Sequence, residues 1–170
     1  MADQKKVLIV VPPVEFDDDA YELTRRILES AGNRVAVASM AASPAIGVAG
    51  SSAPASIAIR DVKTWEWDAY VFVGGPGARI LFDDERTRKF VKDVEYKVIG
   101  AVGNASFLLA LAGTLKGKQA TGDAELGARM VGEGAVYTGR EVEVDGKIVT
   151  TRDATYSEHF ANALLGVLNK

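Results

Sequence analysis

Lys97-Val-Ile-Gly-Ala-Val-Gly-Asn-Ala-Ser-Phe-Leu-Leu-Ala-Leu-Ala112 opens as a continuous apolar run, Val98–Val102, and continues as an apolar helix, with room for only a tight turn between them. Strand, tight turn and helix form the layout of a nucleophile elbow. The turn lifts one side chain above the sheet, and the following helix N-terminus points at it. The raised position here is Gly103, which has no side chain. An elbow residue is held at positive φ, a geometry costing about 1–3 kcal/mol for a residue with a Cβ, and glycine removes that strain. Gly103 therefore exchanges a reactive group for a relaxed backbone.

Outward from the elbow, Val7–Val11, Val35–Ala38 and Tyr70–Val73 are further short apolar runs bounded by turn residues. Continuous runs of this kind suit strands covered on both faces, as in a parallel sheet. Between the first two, Ala20, Leu23, Ile27, Leu28 and Ala31 follow helical spacing over Asp18–Ala31, with Gly32-Asn33 as the stop. Asp83–Glu95 repeats the pattern with Phe90 and Val94 inward. Phe160, Ala163, Leu164, Val167 and Leu168 form a stripe on a last helix. The expected fold is α/β: a doubly wound, mostly parallel sheet with helices on both faces, flavodoxin-like, in one domain spanning residues 1–170.

Two stretches depart from the alternation. Met40–Pro54, rich in Ala, Ser, Gly and Pro, reads as an excursion at the sheet edge too polar for a core element, with Ala55–Ile59 a short strand after it. Glu141–Thr151 reads as a β-hairpin turning at Asp145-Gly146 in type I′ geometry.

Hydrophobic residues at 48% and charged residues at 25% are ordinary for a globular domain. With net charge −3 and scattered Lys and Arg, neither nucleic acid nor a membrane surface is an expected partner. The N-terminus lacks an apolar signal-peptide core, so cytoplasmic residence is the expectation. Cys is absent, which excludes disulfides, thiolate metal sites and cysteine nucleophiles, and a lone His159 excludes the usual zinc ligand sets. No cofactor or metal is implied. Asp17, Asp18 and Asp19 look like oxygen ligands for Mg²⁺, but acidic residues at a helix start are what the macrodipole favours. His159 reads as a surface or interface residue, and Trp65 and Trp67 as interface or core-edge residues.

In an open α/β sheet, ligands bind outside the carboxyl ends of the strands where strand order reverses. Three loops leave such ends: Pro12–Asp19, Gly74-Gly-Pro-Gly-Ala78 and Gly103–Ser106. These loops, with Lys6-Val-Leu-Ile-Val-Val11, Phe16-Asp-Asp18, Trp67-Asp-Ala-Tyr-Val-Phe-Val-Gly-Gly-Pro-Gly77, Leu115-Lys-Gly-Lys-Gln-Ala-Thr-Gly122 and Asp145-Gly-Lys-Ile-Val-Thr-Thr-Arg152, give the chain a nearly end-to-end resemblance to the ThiJ/PfpI superfamily. That superfamily is related to class I glutamine amidotransferases and includes intracellular proteases, glyoxalases and protein deglycases.

The resemblance implies a cysteine at the elbow, often followed by His-Gly-Pro, and a glutamate after the first strand that hydrogen-bonds the thiol. Here Gly103-Asn-Ala-Ser106 stands at the elbow, and Asp17 falls where the glutamate belongs. The resemblance also implies a homo-oligomer, dimer or larger, and a pocket of Asp17, Gly74, Gly75, Gly103, Asn104 and Ser106 in which the Gly75 and Asn104 amides would face an oxygen. Ser106 lacks a paired histidine and reads as a helix N-cap. Glu15, in the same loop as Asp17, is a second acid/base candidate.

Three functions remain open at this level. One is a binding or regulatory protein, without cysteine chemistry, that takes a small carbonyl or carboxylate ligand. Another is a glyoxalase-, deglycase- or hydrolase-type enzyme activating water through Asp17 or Glu15. The last is a structural role with the pocket filled.

Overall fold

The computed structural model describes residues 3–170. Its principal sheet has seven strands in the order Val142–Asp145, Ile148–Thr151, Val98–Val102, Ala69–Phe72, Lys6–Val10, Arg34–Ser39 and Ile57–Ala58. The four central members are β1 (Lys6–Val10), β3 (Arg34–Ser39), β7 (Ala69–Phe72) and β8 (Val98–Val102), all parallel. β6 (Ile57–Ala58) extends one edge in parallel. At the other edge β12 (Ile148–Thr151) runs parallel to β8, and β11 (Val142–Asp145) pairs antiparallel with β12. The fold is the doubly wound, mostly parallel α/β arrangement that the apolar runs imply.

Alternation along the strands divides the core in two. Leu8 and Val10 of β1 join Tyr70, Phe72 and Ile99 beneath α2 (Ala78–Phe82), α3 (Glu85–Asp93), α4 (Ala105–Leu111) and α5 (Gly127–Gly132). Val7 and Ile9 face the opposite way, toward α1 (Asp18–Ser30) and α6 (Ser157–Leu168). Phe160 of α6 lies directly over Gly100, where an added Cβ would sit 2.6 Å from the ring. The glycine inside β8 therefore admits the ring that seats α6 on the sheet.

The stretch from Met40 to Pro54 is more ordered than its composition implies. It contains β4 (Ala45–Gly47) and β5 (Ser52–Ala53), which build a small sheet with β2 (Val14–Phe16), and Ala45 and Ala53 are fully buried. The organising group is Asp18, whose carboxylate accepts from Ala49 N at 2.8 Å and Ser51 N at 2.9 Å. Burial opposes its ionisation, but the bonds from Ala49 and Ser51 outweigh it, and the carboxyl lies below its ordinary value. No local pattern announces a carboxylate that gathers a loop from so far along the chain.

Two further expectations are corrected. The Ala55–Ile59 strand reduces to β6, and Ile59 already opens a 3₁₀ turn running to Asp61. In the hairpin, Asp145 pairs with Ile148, so the loop is Gly146-Lys147, one residue later than read. Of these two only Gly146 has positive φ (60°), the pattern of a type II′ turn rather than I′. The tryptophans divide: Trp67 is buried and Trp65 is exposed. A two-stranded sheet of β9 (Gln119–Ala120) and β10 (Val136–Tyr137) completes the fold. Among the described residues no helix is long and apolar enough to cross a membrane.

Candidate functional site

β1 connects to β3 on one side, and the chain then returns to place β7 on the other, so strand order reverses at β1. The loops leaving β1, β7, β8 and β12 all emerge at the carboxyl edge beside this reversal, the place where such sheets bind ligands. They are tied to one another by main-chain bonds. Asp17 N donates to Gly74 O at 2.9 Å, Gly77 N to Glu15 O at 3.1 Å, and Gly103 N to Thr151 O at 3.0 Å. The Gly-Gly-Pro-Gly loop is glycine-rich because of this crowding: a Cβ on Gly75 would overlap Glu15 O, and one on Gly77 would overlap Val14 O. Close approach of loops, rather than a phosphate cradle, accounts for these glycines.

A cavity of about 520 Å³ opens between the loops, lined by Asp17, Gly74, Gly75, Gly103 and Asn104 together with Pro76, Val102, Asp123, Ala124, Arg152, Asp153 and Ala154. Gly103 lies in its wall at φ 63°, and a Cβ there would have only Asp153 Cα, at 3.9 Å, within contact range. The space above the elbow is open to a side chain; the backbone conformation is what resists one.

The remaining sequence candidates fall elsewhere or serve other purposes. Asp17 is half-buried at the cavity wall and caps α1, its Oδ1 accepting from Ala20 N at 3.0 Å. Glu15 is exposed and lies outside the cavity lining, although it has the unusual backbone: at φ 54° it alone among the described non-glycine residues has positive φ. Ser106 is fully buried behind the elbow, absent from the lining, and its Oγ has no hydrogen-bond partner. It does not cap α4, because that helix already begins at Ala105 and Asn104 stands in the cap position. His159 is exposed on α6, away from the cavity. Among the described residues no group of three His, Cys, Asp or Glu side chains is arranged to hold a metal ion.

The expected pair of free amides is also corrected. Asn104 turns its carboxamide away from its own helix and onto Gly75: Gly75 N donates to Asn104 Oδ1 at 3.0 Å, and Asn104 Nδ2 donates to Gly75 O at 2.9 Å. The Gly75 amide is therefore occupied.

Three of the four charged residues in the cavity, Asp123, Arg152 and Asp153, are ones that sequence reasoning left out; Asp17 is the one it named. Asp17, Asp123 and Asp153 line it against the single guanidinium of Arg152. That guanidinium donates to Tyr156 Oη at 2.6 Å and lies 3.8 Å from the Asp153 carboxylate. Asp153 and Asp123 each accept from the backbone N–H two residues ahead, Thr155 and Glu125. Arg152 and Asp153 follow β12, so the rule that loops at carboxyl ends carry the site would have found them once β12 was placed parallel to β8. Asp123 follows no strand of the principal sheet, and no pattern pointed to it.

The sequence model of the DJ-1/PfpI family matches residues 5–166. The chain belongs to the DJ-1/PfpI family. An uncharacterized protein of Methanocaldococcus jannaschii is 32% identical over 97% of this chain and 83% of its own length. The deglycase PfpI of Pyrococcus furiosus is 27% identical over 81% of this chain and 84% of its own. The crystal structure of a ThiJ/PfpI domain protein from Brachyspira murdochii superposes with a TM-score of 0.94 at 32% identity, covering 98% of both chains. Within this family fold, the chain contains no cysteine, and Gly103 occupies the elbow.

Proposed function

We propose that this DJ-1/PfpI-family chain binds a small carbonyl compound in the cavity above Gly103 and does not transform it by nucleophilic catalysis. The observation carrying this reading is the cavity itself: about 520 Å³ at the strand-order reversal, with a glycine in its wall where the family resemblance puts a thiol. Three carboxylates against one guanidinium favour a neutral carbonyl over the carboxylate alternative, because a second anion would enter a site already negative.

Water activation has less support. Asp17 already holds the first turn of α1, and Glu15 lies outside the cavity lining. The deglycase name of the Pyrococcus relative is not carried over, because the resemblance assigns that chemistry to the missing cysteine.

Two measurements test the proposal. Titration of the ¹⁵N-labelled protein with hydroxyacetone, a neutral carbonyl, is expected to shift the amides of Gly103, Asn104 and Asp153, with pyruvate binding more weakly. Incubation with methylglyoxal is expected to show no consumption above a protein-free control. Steady turnover by the unaltered chain would overturn the non-catalytic reading. A hydroxyacetone titration that leaves these amides unmoved would overturn the ligand and favour a structural role.

A further inference from the structure

Gly75 and Asn104 form a closed pair across the cavity wall. Two hydrogen bonds, at 3.0 and 2.9 Å, join one carboxamide to the N–H and C=O of a single residue, and Ala78 N donates to the same Gly75 O at 3.0 Å, so neither group of Gly75 is left over for a guest. Gly75 is tightly seated. Gly75 has φ 126° and is packed so closely against the 15–17 segment that a Cβ there would lie 2.8 Å from Asp17 N. A Cβ on Gly74 would overlap Asn104 Oδ1 itself, so the glycine before the pair also makes room for the carboxamide. Asn104 lines both this cavity and an adjoining one of about 560 Å³ floored by Phe82, Phe107 and Leu111, so its side chain has space to swing into.

We infer that Asn104 is a specificity-determining residue: its carboxamide occupies the Gly75 amide from within the chain, and a carbonyl oxygen reaches that amide only by displacing it. The ligand part of this inference rests on the carbonyl-binding proposal; the occupied amide is a property of the free protein. A ligand oxygen must therefore offer more than an existing intramolecular bond already provides, which weakens simple carbonyls and selects against small molecules with no second contact. Removing the carboxamide exposes a preorganised donor.

The test uses the full ¹⁵N-labelled chain and its Asn104→Ala and Asn104→Asp variants. Hydrogen–deuterium exchange at the Gly75 amide is expected to rise at least tenfold in Asn104→Ala. It should stay near the unaltered rate in Asn104→Asp, whose carboxylate still accepts from Gly75. Hydroxyacetone is expected to bind Asn104→Ala at least threefold more tightly than the unaltered chain, with no gain in Asn104→Asp. Exchange at Gly75 that is indifferent to Asn104→Ala overturns the inference, as does binding to the unaltered chain that the variant fails to strengthen. No hydroxyacetone binding to any of the three proteins sinks the carbonyl proposal, and the specificity role falls with it even if exchange responds.

Discussion

At Gly103 the backbone has φ 63° with free space where a Cβ would go, whereas at Glu15 a residue that has a Cβ holds φ 54°. The strain expected at the elbow has been relieved there, and a comparable strain persists one loop away. These two positions should respond with opposite signs in urea denaturation. Gly103→Ala is expected to lose about 1–2 kcal/mol, the cost of left-handed backbone for an L-residue without any clash. Glu15→Gly is expected to gain about 1 kcal/mol, since its relief outweighs the extra chain entropy of glycine. Equal and negligible effects at both would show that backbone strain does not govern this region. The glycine at the elbow was legible from the strand-turn-helix pattern alone. The strain at Glu15 was not, because it falls where the pairing of β2 with β4 shifts register between Val14 and Phe16 and where Gly77 N bonds Glu15 O across the loop, both of them contacts with residues distant in the chain.

Among the elements, the small sheet of β2, β4 and β5 depends on one side chain. Asp18 is buried, and Gly47 must lack a Cβ because one would overlap the Asp18 carboxylate. Since the folded-state pKa of Asp18 lies below its ordinary value of 3.8, its contribution is fully present above that value and fades as pH falls through the folded value. Asp18→Asn is expected to lose about 1–3 kcal/mol at neutral pH, because the amide can accept from only one of the two N–H groups and turns a donor toward the other. The variant should also flatten the decline in stability below about pH 4. A variant whose acid limb matches the parent's would remove Asp18 from this role. The central strands and long helices were legible because each is a continuous or periodic apolar run. β4 and β5 were hidden because elements of two or three residues carry no periodicity and draw their stability from a carboxylate on another element.

For the whole molecule, both faces of one sheet share strands, so the α1/α6 layer and the α2–α5 layer should unfold together. Buried Trp67 belongs to the α2–α5 side of the core, and Phe160 to the other. Phe160→Ala is expected to lower stability by about 3–5 kcal/mol and, in a Trp65→Phe background that leaves Trp67 as the fluorophore, to move the fluorescence and far-UV circular dichroism transitions equally. Separated transitions would break the single-domain reading. The same architecture sets what could be known about the site in advance. Lack of a thiol is a property of composition. The elbow, the Gly-Gly loop and the strand ends are local patterns, so sequence by itself determined the family, the sheet and the absence of cysteine chemistry. Only the tertiary structure decided that Arg152 and Asp153 enter the cavity, that Ser106 turns behind it, and that Asn104 takes the Gly75 amide. Each of these depends on which loops meet across the sheet edge, and contacts between residues distant in the chain leave no mark in the local order of amino acids.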